Sequence, residues 1–240
     1  MTPLLLRRTV PPPTETVDVS TEAGRRWLLE QYRPPRREFV RSNTIVSADG
    51  SVTGPDGTSS SLGSASDRRV LGVIREHGDI VLVGGATVRA EHFGLPARTQ
   101  LAVVTESGDL TGHRFDSGGD VPLVVLGPAA ARREAERTLS DPEPRAGWRF
   151  VEIDSVSAAV PALRALGHAS IVAEVGPRAL ARLLEAALVD EVCITASPVQ
   201  AGGSRVPPAA RLYDGVVVLE LVGTDGSRFS ARRGRAARAR

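Results

Sequence analysis

Short apolar runs alternate along this chain with stretches in which apolar residues recur every three or four positions. That alternation predicts strands interleaved with helices, and hence an α/β fold. The strand-like runs are residues 79–83, 100–105, 121–126, 149–153, 170–175 and 191–196, with an extended segment before them at 38–47. Helical spacing predicts helices over 21–32, from Ser66-Asp67 through the stripe Val70, Leu71, Val73 and Ile74, and over 86–92, 128–139, 155–166 and 178–188. In the last of these, Leu180, Leu183 and Leu184 face inward. Thr21 is placed to cap the first helix and Pro34-Pro35 to end it. Strands at 216–222 and 227–232 come last with no helix between them, so the sheet should finish antiparallel, the last strand lying at an edge. Residues 1–20 are proline-rich and read as a loosely attached arm. Residues 48–66 form a glycine- and serine-rich loop too polar for a core, a kind that is usually functional or disordered.

The expected organisation is an arm with one short helix over 1–36, a single α/β domain over 37–232, and an arginine-rich tail over 233–240. The length, 240 residues, allows a substantial core, and no apolar stretch approaches the ~20 residues of a membrane helix. The N-terminal apolar run is too short for a signal peptide, so a cytoplasmic protein is expected, with no membrane partner. Composition narrows the chemistry. All 30 basic residues are arginine, which removes lysine Schiff bases and the lysine of a phosphate-binding P-loop. The single cysteine, Cys193, sits in an apolar run and reads as an inert core residue. The four histidines have no metal-ligand spacing, so no metal site is expected. Reactivity would come from an organic cofactor, or from carboxylates, hydroxyls and arginines.

Three segments share an apolar strand, a glycine and a helix start: Val83-Gly84-Gly85, Leu126-Gly127-Pro128 and Val175-Gly176-Pro177. Glycine lets a backbone turn approach a ligand, and the free amides of a helix N-terminus favour phosphate. A strand-to-helix turn wants glycine anyway, so each one alone is weak. Several on one sheet are stronger, because ligands of α/β sheets collect beyond the carboxyl ends of strands. The G-x-G-x-x-G fingerprint is absent.

The order of three further motifs is more specific. Asn43-Thr44-Ile45-Val46-Ser47-Ala48-Asp49-Gly50 resembles the first strand and loop of the riboflavin-pathway pyrimidine reductases. Leu82-Val83-Gly84-Gly85-Ala86-Thr87-Val88-Arg89-Ala90-Glu91 resembles their second signature. Glu174-Val175-Gly176-Pro177, with Leu188-Val189-Asp190-Glu191 after it, resembles their third, an E-G-G-P and an L-V-D-E. Ser197-Pro198 and Gly202-Gly203 match the family's pattern downstream of that third motif.

The resemblance covers roughly residues 37–225. It implies a three-layer fold of the dihydrofolate reductase type, with a mixed, mainly parallel sheet, antiparallel C-terminal strands and helices on both faces. It further implies a homodimer and NADPH-dependent reduction of a pyrimidine-type small molecule, most closely 5-amino-6-(5-phosphoribosylamino)uracil. The positions it assigns to the cofactor are Val46, Leu62, Gly84, Gly85, Thr87, Val88, Glu91, Thr105, Val175, Gly176, Pro177, Arg178 and Ala179. Those on the substrate side are Ser60, Arg75, Leu95, Arg98 and Glu174, the two arginines gripping a phosphate. Glu174 or Asp49 would organise the proton.

Val175 stands where the family has glycine and would crowd the loop or lower cofactor affinity. No zinc-deaminase motif is present, so a reductase domain without that partner domain is expected. Plainer roles exist for several of these residues: a turn for Asp49-Gly50, a helix cap for Thr87, a dipole partner for Arg75, a strand start or helix cap for Asp190-Glu191. Two other small-molecule activities remain open, a dihydrofolate reductase-like one and reduction of an unrelated compound. A third alternative is nucleic-acid binding by the six arginines between Arg228 and Arg240. No aromatic residues are interleaved there to stack bases, and nucleic acid is not the expected partner.

Overall fold

The structure is a computed structural model that describes residues 3–94, 99–115, 120–202 and 215–234. In chain order the first elements are β1 (Leu5–Val10), β2 (Glu15–Asp18), α1 (Glu22–Gln31) and β3 (Phe39–Val46). A 3₁₀ turn at Ser60–Leu62 precedes α2 (Ala65–Glu76), β4 (Ile80–Gly84), α3 (Gly85–Glu91) and β5 (Gln100–Val104). Then come β6 (Leu123–Gly127), α4 (Arg132–Thr138), β7 (Trp148–Glu152), α5 (Ala159–Ala165) and β8 (Ser170–Glu174). The last elements are α6 (Pro177–Glu185), β9 (Glu191–Ala196), β10 (Gly215–Gly223) and β11 (Arg228–Gly234). The fold is the expected α/β class, with parallel strands through the middle and an antiparallel portion.

The chain forms two compact units. One comprises Arg37–Val40 and Gly78–Leu188, the other the remainder. In the first, the strand order is β8-β4-β5-β6-β7, every neighbouring pair parallel. Ile80, Val81, Leu82 and Val83 are all fully buried, as a parallel strand covered on both faces requires. The Asp79 carboxylate accepts from the amides of Ala169 (2.8 Å) and Ser170 (2.9 Å), which fastens the start of β8 to that of β4. Leu180 and Leu183 of α6 are buried and Leu184 is half-buried.

The other unit has the strand order β2-β1-β10-β11-β9-β3, antiparallel except for β9 beside β3. Two expectations change here. The proline-rich start is no loose arm: β1 and β2 form a hairpin, and Leu6 pairs with Gly223 of β10 and is fully buried. β11 is no edge strand either, since it lies between β10 and β9 with Phe229 and Ala231 buried. Its arginines are therefore partly structural, and the tail does not begin at residue 233. Arg228 reaches Glu220 at 3.8 Å, and Arg233 donates to Glu191 at 2.6 Å.

Glu191 itself is 1% exposed, and its main partner is Arg41 of β3, 2% exposed, whose Nε donates to it at 2.5 Å. Arg41 also donates to the Tyr32 carbonyl at 2.8 Å. A buried charge of this kind persists because every polar arm has a partner. Cys193, also buried, donates its thiol to Glu191, and burial pushes its pKa up. It is the inert core residue that the sequence predicts.

Candidate functional site

The carboxyl end of β4 lies between those of β8 and β5. Val83 is the Cα partner of Glu174, and Gly84 that of Val104. Two of the strand–glycine–helix turns therefore stand side by side. A Cβ built on Gly84 would lie 4.0 Å from the Gly176 amide nitrogen and 3.8 Å from Thr87 Oγ1, ordinary contacts. A Cβ on Gly176 would meet nothing within 4 Å among the described residues. Both glycines have dihedrals open to any residue, φ −87° and φ −62°. Neither is required by the local packing or backbone, and what glycine leaves there is open backbone at the strand ends. Gly85 is different: its Cβ would stand 2.9 Å from Thr105 Oγ1, so glycine is needed for the strand ends to pack.

Gly176 is the N-cap of α6 and Pro177 its first residue, with no side chain capping the helix. The amides of Arg178 and Ala179 in that first turn, with the helix dipole behind them, favour an anion. Arg178 is exposed beside them. Glu174 ends β8 half-buried, on the same edge. Val175 is 7% exposed, and the only described non-glycine residues with positive φ are His92 and Ala187. The expected crowding is thus absent from the backbone: Val175 turns its side chain into the core.

Thr87 and Thr105 adjoin the Gly84-Gly85 turn, whereas Val88 and Glu91 serve elsewhere. Thr87 is the third residue of α3 and not its cap, which is Gly84. Val88 is fully buried, so its side chain belongs to the core. Glu91 ends α3, six residues and about 9 Å along the helix from Gly85. Thr105 is 6% exposed and accepts from the Gly108 amide at 3.0 Å, holding the turn after β5.

In the unit containing β3, the loop after that strand is ordered by its own polar groups. The Ser197 amide donates to the Val46 carbonyl (2.8 Å), and the Ser197 hydroxyl to the Leu62 carbonyl (2.8 Å). Val46 and Leu62 are themselves buried. Asp49 accepts from the Ser47 hydroxyl (2.6 Å) and from the amides of Ala201 (3.1 Å) and Gly202 (2.9 Å). Those bonds, the Ser47 hydroxyl first, hold its pKa down at about 2. Gly50, at φ +87°, makes the turn that the Asp49-Gly50 pair predicts.

Ser60 is exposed on the 3₁₀ turn and hydrogen-bonds Thr58 at 2.8 Å. Arg75 lies at the opposite end of α2, ten residues or about 15 Å from its first residue, where Glu76 pairs with Arg25. Ser60 and Arg75 are therefore not brought together. Sequence reasoning passed over Arg68, exposed in the first turns of α2, whose guanidinium lies 3.4 Å from the Gly63 carbonyl. Its signal was proximity to the serine-rich loop. Leu95 and Arg98 lie outside the described residues.

Known proteins share this fold. The profile of the RibD C-terminal domain matches residues 38–224, and the chain belongs to that family. Among solved structures it resembles a pyrimidine reductase-like protein from Corynebacterium diphtheriae, at 18% identity and a TM-score of 0.66, over 82% of this chain and 91% of that one. It also resembles a diaminohydroxyphosphoribosylaminopyrimidine deaminase/5-amino-6-(5-phosphoribosylamino)uracil reductase from Thermotoga maritima, at 20% identity and a TM-score of 0.64. Here 83% of this chain aligns with 57% of the other, so it spans little over half of that protein. The riboflavin biosynthesis reductase Rib7 of Saccharomyces cerevisiae is similar at 16% identity and a TM-score of 0.53, over 86% and 97%. At these identities the likeness establishes the fold. None of the curated proteins matches the sequence.

The residues present fit a dinucleotide. Gly84 and Gly176 leave a backbone cradle, and the first turn of α6 supplies amides for a pyrophosphate. Among the described residues no group of three or more acids, histidines or cysteines could hold a metal.

Proposed function

We propose that this chain is a nicotinamide-dependent reductase of a pyrimidine-type small molecule, acting in riboflavin biosynthesis on 5-amino-6-(5-phosphoribosylamino)uracil or a close relative. The observation that carries the reading is the adjacency of Gly84 and Gly176 at the strand ends, in a chain of the RibD C-terminal family. The resemblance implies NADPH. When bound, the dinucleotide supplies the hydride.

The chain's own work is to bind and orient. The first turn of α6 holds the pyrophosphate, Arg178 offsetting its charge. Glu174, half-buried at the end of β8, accepts a hydrogen bond from a substrate amine or hydroxyl. Asp49, with its oxygens on Ser47, Ala201 and Gly202, acts as a fixed anion that shapes its loop; it does not carry a mobile proton. The resemblance assigns the substrate's phosphate side to Ser60, Arg75 and Arg98, and Arg68 is a further exposed cation near Ser60 in the chain. The reading further takes the protein to be a cytoplasmic homodimer without a nucleic-acid partner.

The test is a titration with NADPH and NADH followed by calorimetry, then a panel of phosphorylated and unphosphorylated pyrimidines. Saturable dinucleotide binding and turnover of a phosphoribosylamino-pyrimidine are expected. No binding at millimolar dinucleotide would sink the reading. Turnover of only unphosphorylated compounds would transfer the protein to another substrate.

A further inference from the structure

We infer that Glu106 sets the cofactor preference, favouring a dinucleotide with a free 2′-hydroxyl on its adenosine ribose, NADH, over NADPH. The inference rests on the nicotinamide reading above and departs from the cofactor that the resemblance implies. β5 is the neighbour of β4, and a Cβ on Gly85 would touch Thr105 at 2.9 Å. The residue after Thr105 therefore stands beside the turn that forms half of the phosphate cradle. That residue is Glu106, and it is exposed. An adenosine ribose lying on the β5 side of a pyrophosphate at Gly84 and Gly176 would be within reach of its carboxylate. Dinucleotide sites discriminate in this way: an acid accepts hydrogen bonds from ribose hydroxyls, whereas a 2′-phosphate needs an arginine. A phosphomonoester carries about −1.5 to −2 charges at neutral pH, so a carboxylate at the same place repels it.

Among the described residues, the cations of this quarter have other contacts or face away. Arg89 of α3 is engaged by Asp109, with its Nε 3.6 Å from the carboxylate and its Nη1 on the Asp109 carbonyl. Asp109 itself adds a second acid to the same turn. Arg132 of α4 lies over the Phe150 ring, 4.7 Å from its centroid. Arg137 is held by both oxygens of Glu134. Arg133 lies two positions from the buried Ala131 and from the buried Ala135, hence on the opposite side of the helix. Arg178 belongs to the turn after β8, across β4 from β5.

The experiment is calorimetric titration of the full chain with NADH, NADPH, ADP-ribose and 2′-phospho-ADP-ribose, repeated on Glu106→Gln. In the parent, each compound without the 2′-phosphate should bind roughly five- to tenfold more tightly than its phosphorylated counterpart. Glu106→Gln should tighten the phosphorylated ligands by roughly fivefold or more while leaving the others unchanged or weaker. Tighter binding of NADPH than NADH in the parent overturns the inference and leaves the reductase reading standing. A preference unchanged in Glu106→Gln overturns it as well. Failure of all four ligands to bind overturns the nicotinamide reading together with this inference.

Discussion

The Gly176 amide nitrogen lies 4.0 Å from where a Cβ on Gly84 would stand, although the two residues are 92 positions apart. Two turns that are individually ordinary become one feature because β4 and β8 are neighbours in the sheet. Each turn leads directly into a helix, and no side chain caps either helix.

On the proposed function Gly176 serves a ligand, whereas Gly85 serves packing. Gly176→Ala has room and an allowed φ, so its stability should change by no more than ~0.5 kcal/mol, while dinucleotide affinity falls tenfold or more, about 1.4 kcal/mol. Gly85→Ala must push Thr105 and should lower the melting temperature as well. Thermal melts beside calorimetry decide the matter. Equal dinucleotide affinity in Gly176→Ala and the parent would remove that turn from the site.

Val175 gives a second test, against the expectation that a valine there weakens binding. Because the side chain is buried and the backbone unstrained, Val175→Gly should cost about 2–3 kcal/mol of stability in urea unfolding. It should not tighten the dinucleotide. A tighter complex with unchanged stability would restore the crowding argument.

The position of Arg75 bears on the substrate. Arg68→Ala should raise KM for a phosphorylated pyrimidine roughly tenfold or more, the loss of a charge-assisted contact worth ~1.5–3 kcal/mol. Arg75→Ala should change it less, since Arg75 is in the last turn of α2 and Ser60 lies on the 3₁₀ turn before its first residue. The reverse ranking, measured by steady-state kinetics, would return the phosphate to Arg75.

Asp49 makes a prediction about pH. Its folded pKa is depressed to about 2 from 3.8, so the loop contacts are fully present above pH ~4 and disappear as pH falls through ~2. Exchange of the Ala201 and Gly202 amides should accelerate over that window in the parent. In Asp49→Asn it should be fast at neutral pH, and slow exchange there would mean that the carboxylate does not anchor the segment.

The arginines divide in the same manner. Arg41→Gln takes from the buried Glu191 its buried cationic partner and should cost about 3–5 kcal/mol. Replacing Arg235, Arg238 and Arg240 with glutamine should alter neither stability nor dinucleotide binding. Salt-sensitive RNA affinity that disappears with those three would favour the nucleic-acid alternative.

The sequence by itself determined the α/β class, most of the elements within a few residues, and the order of the glycine turns. These are local properties: periodicity, caps and apolar runs act over one element, so Thr21 could be read as the cap it is, donated to by Gly24 at 3.0 Å. Only the tertiary structure decided which distant segments pair. Leu6 looked like part of a loose arm because its partner, Gly223, is more than two hundred residues away. Arg228 to Gly234 looked like an edge and a tail because nothing in that segment announces strands on both sides. Asp190-Glu191 could be read as a strand start, and Glu191 does open β9, but not as the partner of Arg41, 150 residues upstream. The same limit held at the site, where local pattern found Gly84 and Gly176 but could not measure the distance between them. Nor could it see that α2 carries Arg75 away from Ser60, or that Glu106 stands beside the Gly84 turn. Such relations come from strand order, which is fixed by burying the whole set of apolar faces at once.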